Sequence, residues 1–380
     1  MYLAWAQNNE RRIIEMIKEM VELESPSDDP RAVNQFVDWL ATRLAPIAKV
    51  KIIKAGPQYG NHLLAEFQLP GKKKTGQVMA LGHSDTVWPL GTLKIMPFRE
   101  AEGRLWGPGV LDMKAGIAFF IAAMECLREL DIAVAHKVVL QINSEEEIGS
   151  HSSRALTEQS AKASKAVLVL EPGTGLTGKL KTARKGVGGY IVKAVGKASH
   201  AGVDFEAGAN AIVELSRQIE KIAGFTDLSR GLTVNPGVIT GGTRSNVVPA
   251  EAMVEVDIRI ARLRDETSLT KKFQSLKTFD KRCRLEITGG LNRPPMERSK
   301  GIVALYCLAQ EEANKFGVQL EESMTGGGSD GNFTAALGVP TLDGLGAVGE
   351  GAHAMNESLL TNRIADRTAL LAALVVGIQG

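Results

Sequence analysis

Apolar positions along the chain follow two periods, and their alternation predicts most of the elements. Between Asn8 and Leu23, Ile13, Ile14, Ile17, Met20 and Val21 recur at helical spacing. "SPSDDP" breaks that run. Asp28 or Asp29 before Pro30 is a helix start, which predicts a second helix to about Leu44. The later apolar runs are shorter, and each closes on a polar residue. "QVMALGHSD" reads as a strand ending at His83, "KVVLQINSEEE" as one ending in glutamates, and "AVLVLEPG" as one ending at Glu171. "AGIAFFIAAMECLREL" reads as a helix beginning just after Asp112, and "VPTLDGLG" as a strand whose following loop carries His353. Strands alternating with helices predict an α/β sheet of substantial parallel character. In such sheets functional groups gather beyond the carboxyl ends of the strands.

Residues 185–294 have a different rhythm. "VGGYIVKAVGK" is a strand, "GANAIVELSRQIEKIAG" a helix, and "LTVNPGVITGG" and "NVVPAEAMVEVDIRIA" paired strands; a helix in "DETSLTKKFQSLKTF" and a strand in "CRLEITGG" follow. The order β-α-β-β-α-β is the ferredoxin-like pattern, a complete small domain. It reads as an insertion, leaving 1–184 and 295–380 as the parts of a larger domain.

A length of 380 residues suits two domains. A net charge of +2 points to neither nucleic acid nor a membrane surface as an obligatory partner. No apolar run approaches the roughly 18 residues of a membrane span. The 3 cysteines, Cys126, Cys283 and Cys307, are scattered, which speaks for a reducing compartment and for three small core residues. Ala4-Trp5-Ala6 looks like a signal-peptidase site with almost no apolar region before it. The expectation is a cytoplasmic protein; a periplasmic or secreted one would follow from a trimmed precursor.

"NSEEEIGS" places Glu145, Glu146 and Glu147 side by side at a strand end. Close like charges repel by on the order of 4 kcal/mol at intermediate dielectric. A pocket tolerates them only beside a cation. His83 and Asp85, two apart on a strand, share a face, so the carboxylate can hold one imidazole nitrogen and leave the other for a metal; alone, the pair would equally be a structural hydrogen bond. Asp112, in the tight turn "GPGVLDMKAG", is alone as readable as a helix N-cap, and Lys114 as a surface residue or a charge partner. Glu171 and His353 alone would be loop residues. Together these elements deliver His, Asp, Glu, Glu and His to one edge of one sheet. Two divalent cations would balance that heap of negative charge. Histidine and carboxylate ligands without cysteine suit catalytic zinc, with cobalt or manganese as alternatives. One glutamate of the trio would be a ligand and another a general base acting on water. Spacing alone does not choose among the three.

At these residues the chain resembles the co-catalytic zinc peptidases and deacylases, a family that includes glutamate carboxypeptidase, acetylornithine deacetylase, succinyl-diaminopimelate desuccinylase and the aminoacylases. The matching segments are "GHSDTV", "GPGVLDMKAG", "NSEEEIGS", "VLEPG", "GKASHAGV", "SNVVPAEA", "TGGGSDG" and "GAHAMNE", in family order over nearly the whole chain. The bacterial glutamate carboxypeptidase branch is the nearest in pattern. The resemblance implies a catalytic domain with a mixed central sheet flanked by helices, and an inserted lid that forms a homodimer. It implies two zinc ions per subunit: His83, Asp112 and Glu171 on one, His353, Asp112 and Glu147 on the other, with Asp112 bridging and the peptide bond after it cis. Matching E-E-x-G-S makes Glu146 the base and Glu147 the ligand. Glu145 stands where the family more often has aspartate. Asp85 would orient His83, and His200 of the lid would reach the partner subunit's site and stabilise the carbonyl oxyanion.

Releasing a C-terminal residue calls for a cation on its α-carboxylate, which arginine binds through two parallel hydrogen bonds. By the resemblance, Arg259 in "VDIRI", Arg293 in "LNRPP" and Asn246 contact substrate. "GGGSDG", with Gly327 and Gly328, reads as a substrate-lining turn. "KLKTARKG", which opens on Lys179 and Lys181, reads either as positive charge at the mouth or as a solvated basic loop. The expected activity is hydrolysis of the amide before a C-terminal acidic residue, glutamate or aspartate, in a small peptide or N-acyl conjugate. An N-acyl amino acid deacylase or a dipeptidase with the same site is the alternative. A metal-binding protein without turnover is the third reading, and the intact Glu146 argues against it.

Overall fold

The computed structural model describes residues 1–378, a mixed α/β chain of two compact units. The first comprises Met1–Ala183, Arg298–Met324 and the chain from Ser329 onward; the second comprises Arg184–Glu297 and Thr325–Gly328. The four residues Thr325–Gly328 therefore cluster with the second unit, although sequence places them in the larger domain.

The first unit is built on a six-stranded sheet in the order Ala48–Ile53, His62–Phe67, Lys137–Asn143, Gln77–His83, Ala166–Val169, Thr341–Leu342. The last four strands run parallel to one another; the first two pair antiparallel, which makes the sheet mixed. Val78, Met79, Ala80 and Leu81 are all fully buried, because both faces of the central strands are covered. On one face lies the main core, with the helices Ala115–Glu129 and Ile364–Gly377. On the other, Met79, Leu81, Val167 and Val169 meet Ala161 and Val339. Parallel strands put their carboxyl ends on one edge, and that is where His83, Asn143 and Val169 end.

Local chemistry sets the helix boundaries. The helix Pro30–Leu44 starts on Asp29, whose carboxylate accepts from the Arg31 and Ala32 amides. The helix Glu10–Glu22 is preceded by a separate turn of helix, Tyr2–Asn8, with Trp5 and Ala6 in the core and the Trp5 indole donating to Glu129 at 2.7 Å. Two sequence expectations change here. Cys126 and Cys283 are buried, but Cys307 is exposed, on the outer face of Lys300–Asn314 whose inner face presents Leu305, Tyr306 and Ala309. The basic segment is not a loop: Leu180–Arg184 is a strand paired with Glu322–Thr325, and Lys181 and Arg184 are buried. Among the described residues no helix is long and apolar enough to cross a membrane.

The second unit has an all-antiparallel four-stranded sheet in the order Thr233–Gly241, Glu251–Ile260, Gly186–Val195, Arg284–Arg293. Two helices, Ala211–Ala223 and Arg264–Gln274, complete the ferredoxin-like order. Period-two burial along Glu251–Ile260 puts Ala252, Val254, Val256, Ile258 and Ile260 inward. The core centres on Phe273, fully buried and stacked on Tyr190 with ring centroids 3.8 Å apart. Phe273→Ala is expected to destabilise this unit by about 3–5 kcal/mol, read as a lowered denaturation midpoint of the transition that reports on Tyr190.

Candidate metal centre

Three turns at one edge of the first unit's sheet, and one loop from near its carboxyl terminus, converge. His83 ends its strand with 2% exposure. Its Nδ1 lies 2.9 Å from the Asp85 carbonyl oxygen and 3.4 Å from Asp85 Oδ1. A carbonyl only accepts, so Nδ1 carries a proton and Nε2 is the nitrogen turned toward the other acids. Nε2 is 3.3 Å from Asp112 Oδ1 and 3.5 Å from Glu171 Oε1.

Asp112 lies between two imidazoles. Its other oxygen, Oδ2, is 3.5 Å from His353 Nε2, and the Asp112–Met113 peptide bond is cis. His353 Nε2 is also 3.1 Å from Glu147 Oε1. His353 is half exposed and adopts a left-handed φ of 63°, in a loop that glycines also shape. Ligand-capable atoms of His83, Asp112 and Glu147 all lie within 4.8 Å of one another, as do those of His83, Glu146 and Glu171. The donor atoms thus form two adjoining sets that share His83. Glu146 is itself a member of the second set.

The electrostatics fit a cation. Burial raises the Asp112 carboxyl, but the bonds from His353 and His83 overcome it and hold the group well below the usual carboxylate range. Burial lowers His83, but its bonds to Asp112, Asp85 and Glu171 leave it well above the ordinary imidazole value. Asp112 and Glu147 push His353 up to about 10. Burial raises Glu147, against the bond from His353. The carboxylates hold positive charge on the imidazoles, and a divalent ion would supply the same charge through the same donor atoms. Nitrogen and oxygen donors without thiolate suit zinc, cobalt or manganese.

Asp85 has a second task. Its buried carboxylate accepts from Ser27 Oγ at 2.7 Å, from the Glu146 amide at 3.0 Å and from the Glu147 amide at 3.2 Å. It therefore orients the glutamate turn as well as His83. Glu145 points away from the centre and accepts from the Ser153 amide and hydroxyl at 2.9 and 2.6 Å. Lys114 is buried and donates to the Leu23 carbonyl at 2.8 Å.

Sequence reasoning missed Asp330 and Glu357. Asp330 is buried and accepts from Asn143 Nδ2 at 2.6 Å and from the Ser150 hydroxyl, the two residues that bracket the glutamate turn. Ser329 and Asp330 of "GGGSDG" are thus buried within the first unit. Glu357, in "AMNES", accepts the amides of the Asp112 turn. A buried acid at either place is visible only once the chain is folded.

The remaining expected catalytic and substrate residues are divided between the two units. Lys179 pairs with Glu321 in the first unit. In the second unit, His200 is exposed, and its Nδ1 accepts from the Gly202 and Val203 amides at 3.1 and 3.2 Å, which leaves the proton on Nε2. Asn246 is its neighbour, its carbonyl accepting from the Ala201 amide. Arg259 is gripped by Asp257 through Nε at 3.0 Å and Nη2 at 2.9 Å. Arg293 is buried beside Gly328, and the Gly327 and Gly328 carbonyls accept from Arg184 Nη1 at 3.2 and 2.9 Å.

Comparison with known proteins bears on this geometry. The model of Peptidase family M20/M25/M40 matches residues 79–376. Carboxypeptidase G2 of Pseudomonas sp. (strain RS-16) is 29% identical over 361 residues, 92% of this chain and 84% of that protein. The crystal structure of aminopeptidase PepT from Bacillus cereus ATCC 10987 is similar with a TM-score of 0.80 at 22% identity, covering 97% of this chain and 98% of that one. The Bacillus subtilis YXEP protein, a dinuclear metal binding peptidase, is similar with a TM-score of 0.67 at 15% identity, covering 97% of this chain and 98% of that one. These two structures share the fold. With the family match running through every element that carries the centre, the chain belongs to peptidase family M20/M25/M40, a family of metallopeptidases.

Proposed function

We propose that the protein is a dinuclear metallopeptidase that hydrolyses the amide bond before a C-terminal acidic residue in small peptides or N-acyl conjugates. The observation that carries the reading is Asp112 held between His83 and His353, with Glu171 and Glu147 beside them. His83, Asp112 and Glu171 would hold one ion; His353, Asp112 and Glu147 would hold the other. Zinc suits these donors best. When bound, such a pair supplies Lewis acidity that polarises a carbonyl and acidifies water.

The chain's own groups do the rest. Glu146 takes the proton of the attacking water on its carboxylate and returns it to the leaving nitrogen. Asp85 fixes His83 and, through two amides, the turn that aims Glu146. His200 Nε2–H donates to the carbonyl oxygen as it becomes anionic, contributed by the partner of a homodimer that forms through the second unit. Arg293, with Asn246, Gly327, Gly328 and Lys179, would receive the substrate carboxylates. Carboxypeptidase G2 supports a C-terminal cut by its name and its likeness over most of the chain.

A second reading keeps the centre and changes the substrate. The grip of Asp257 on Arg259 neutralises one of the two arginines assigned to acidic groups. That favours an N-acyl amino acid deacylase or a dipeptidase with a less charged leaving residue.

Glu146→Gln is expected to lower kcat by about 10²–10⁴-fold while metal content, measured by elemental analysis, stays at the wild-type level; full activity in this variant would overturn the mechanism. Removing metal with a chelator is expected to abolish hydrolysis and zinc to restore it, followed as release of free amino acid. On a panel of N-acyl and peptidyl substrates ending in Glu, Asp, Ala, Leu or Arg, Glu or Asp should lead, and Arg293→Ala should cut kcat/KM for those two by roughly 10- to 150-fold. A lead by apolar or basic residues selects the second reading.

A further inference from the structure

Glu357 is fully buried, and its two oxygens accept four donors from two separate loops. Oε1 accepts from the Leu111 amide at 2.9 Å and the Asp112 amide at 3.0 Å. Oε2 accepts from the Gly109 amide at 2.9 Å and from Trp88 Nε1 at 2.7 Å. A carboxylate offers about four lone-pair sites, so this one is saturated. The Asp112 turn cannot satisfy these amides itself, because Gly109, Asp112 and Met113 depart from helical dihedrals. Trp88 belongs to the loop that leaves Asp85. Glu357 itself sits four residues after His353, and its own amide donates to Ala354 at 2.8 Å. One acid thus ties together the loops that carry Asp85, Asp112 and His353.

We propose that Glu357 is the positioning residue of the metal centre: it sets the backbone of Asp112, and thereby the carboxylate that lies between the two histidines. The inference rests on the dinuclear reading given above. A glutamine there would keep the volume but turn an NH2 toward two N–H donors, leaving the turn with donors facing donors. Positioning partners of metal ligands typically carry 10–100-fold in metal affinity.

The test uses the full-length protein and zinc alone, without substrate. Zinc affinity is measured by competition with a chromophoric chelator, and the site is read independently from the absorption bands of the cobalt-substituted protein. Glu357→Gln is expected to weaken zinc binding by about 10–100-fold and to change the cobalt spectrum at saturating metal. In an Asp112→Asn background the same substitution is expected to add little, because both act through one carboxylate. Wild-type affinity and spectrum in Glu357→Gln would overturn the proposal, as would an undiminished effect in the Asp112→Asn background. If Glu357→Gln does not fold, Trp88→Phe removes one of the four donors at little change in volume; a smaller weakening is then expected, and unchanged zinc binding overturns the proposal. A wild-type protein that binds no zinc, cobalt or manganese would sink the metal-centre reading itself, which keeps the two failures apart.

Discussion

Buried or half-buried carboxylates that accept the backbone amides of turns are the interaction on which this centre depends. Asp85 takes the amides of Glu146 and Glu147, Glu145 those of Ser152 and Ser153, and Glu24 those of Gly91 and Leu93. Turn amides point in directions that no neighbouring strand can meet, and a buried unpaired amide is costly. A charged acceptor meets two or more at once, at about 1.5–3 kcal/mol for each bond to a charged group. The price is a concentration of negative charge beneath the sheet edge.

That charge explains why the site is built for cations. Asp85, Asp112, Glu147 and Glu171 surround two imidazoles within hydrogen-bonding range. In a region of low effective dielectric the carboxylates repel one another more than they would in water. The imidazoles answer by holding protons more tightly, His353 up to about 10. Asp85 belongs to both sets: it takes the amides of the glutamate turn and adds its charge to the carboxylates around the imidazoles.

Much of this was legible in the sequence, and the limit has a physical form. His83, the trio Glu145, Glu146 and Glu147, and Glu171 stand out because each ends or follows an apolar strand of a largely parallel sheet, and such strands end on one edge; within the trio only the family resemblance chooses. The helix start at Asp28 or Asp29 stands out because a cap acts within three residues, and the structure selects Asp29. Glu357 does not, because the amide it accepts belongs to a residue 245 positions earlier. Asp330 bonds Asn143 over a separation of 187. Lys114 looks like a surface lysine until the helices around it bury its stem and leave its ammonium one carbonyl to hold. Period and spacing report on what a residue does to its own element; they carry no information on which distant loop needs an acceptor.

The insertion of the second unit has its own consequence. Arg184 and Met296, near its two ends, exchange a pair of backbone hydrogen bonds, each 3.0 Å long. Entry and exit are thus clasped within the insert. A host that receives such a module has only a short gap to bridge, because the entropy of closing the long excursion is met by the insert's own sheet and core. Modules joined in this way can be exchanged between hosts, or lost to a short turn, without rewiring either hydrophobic core.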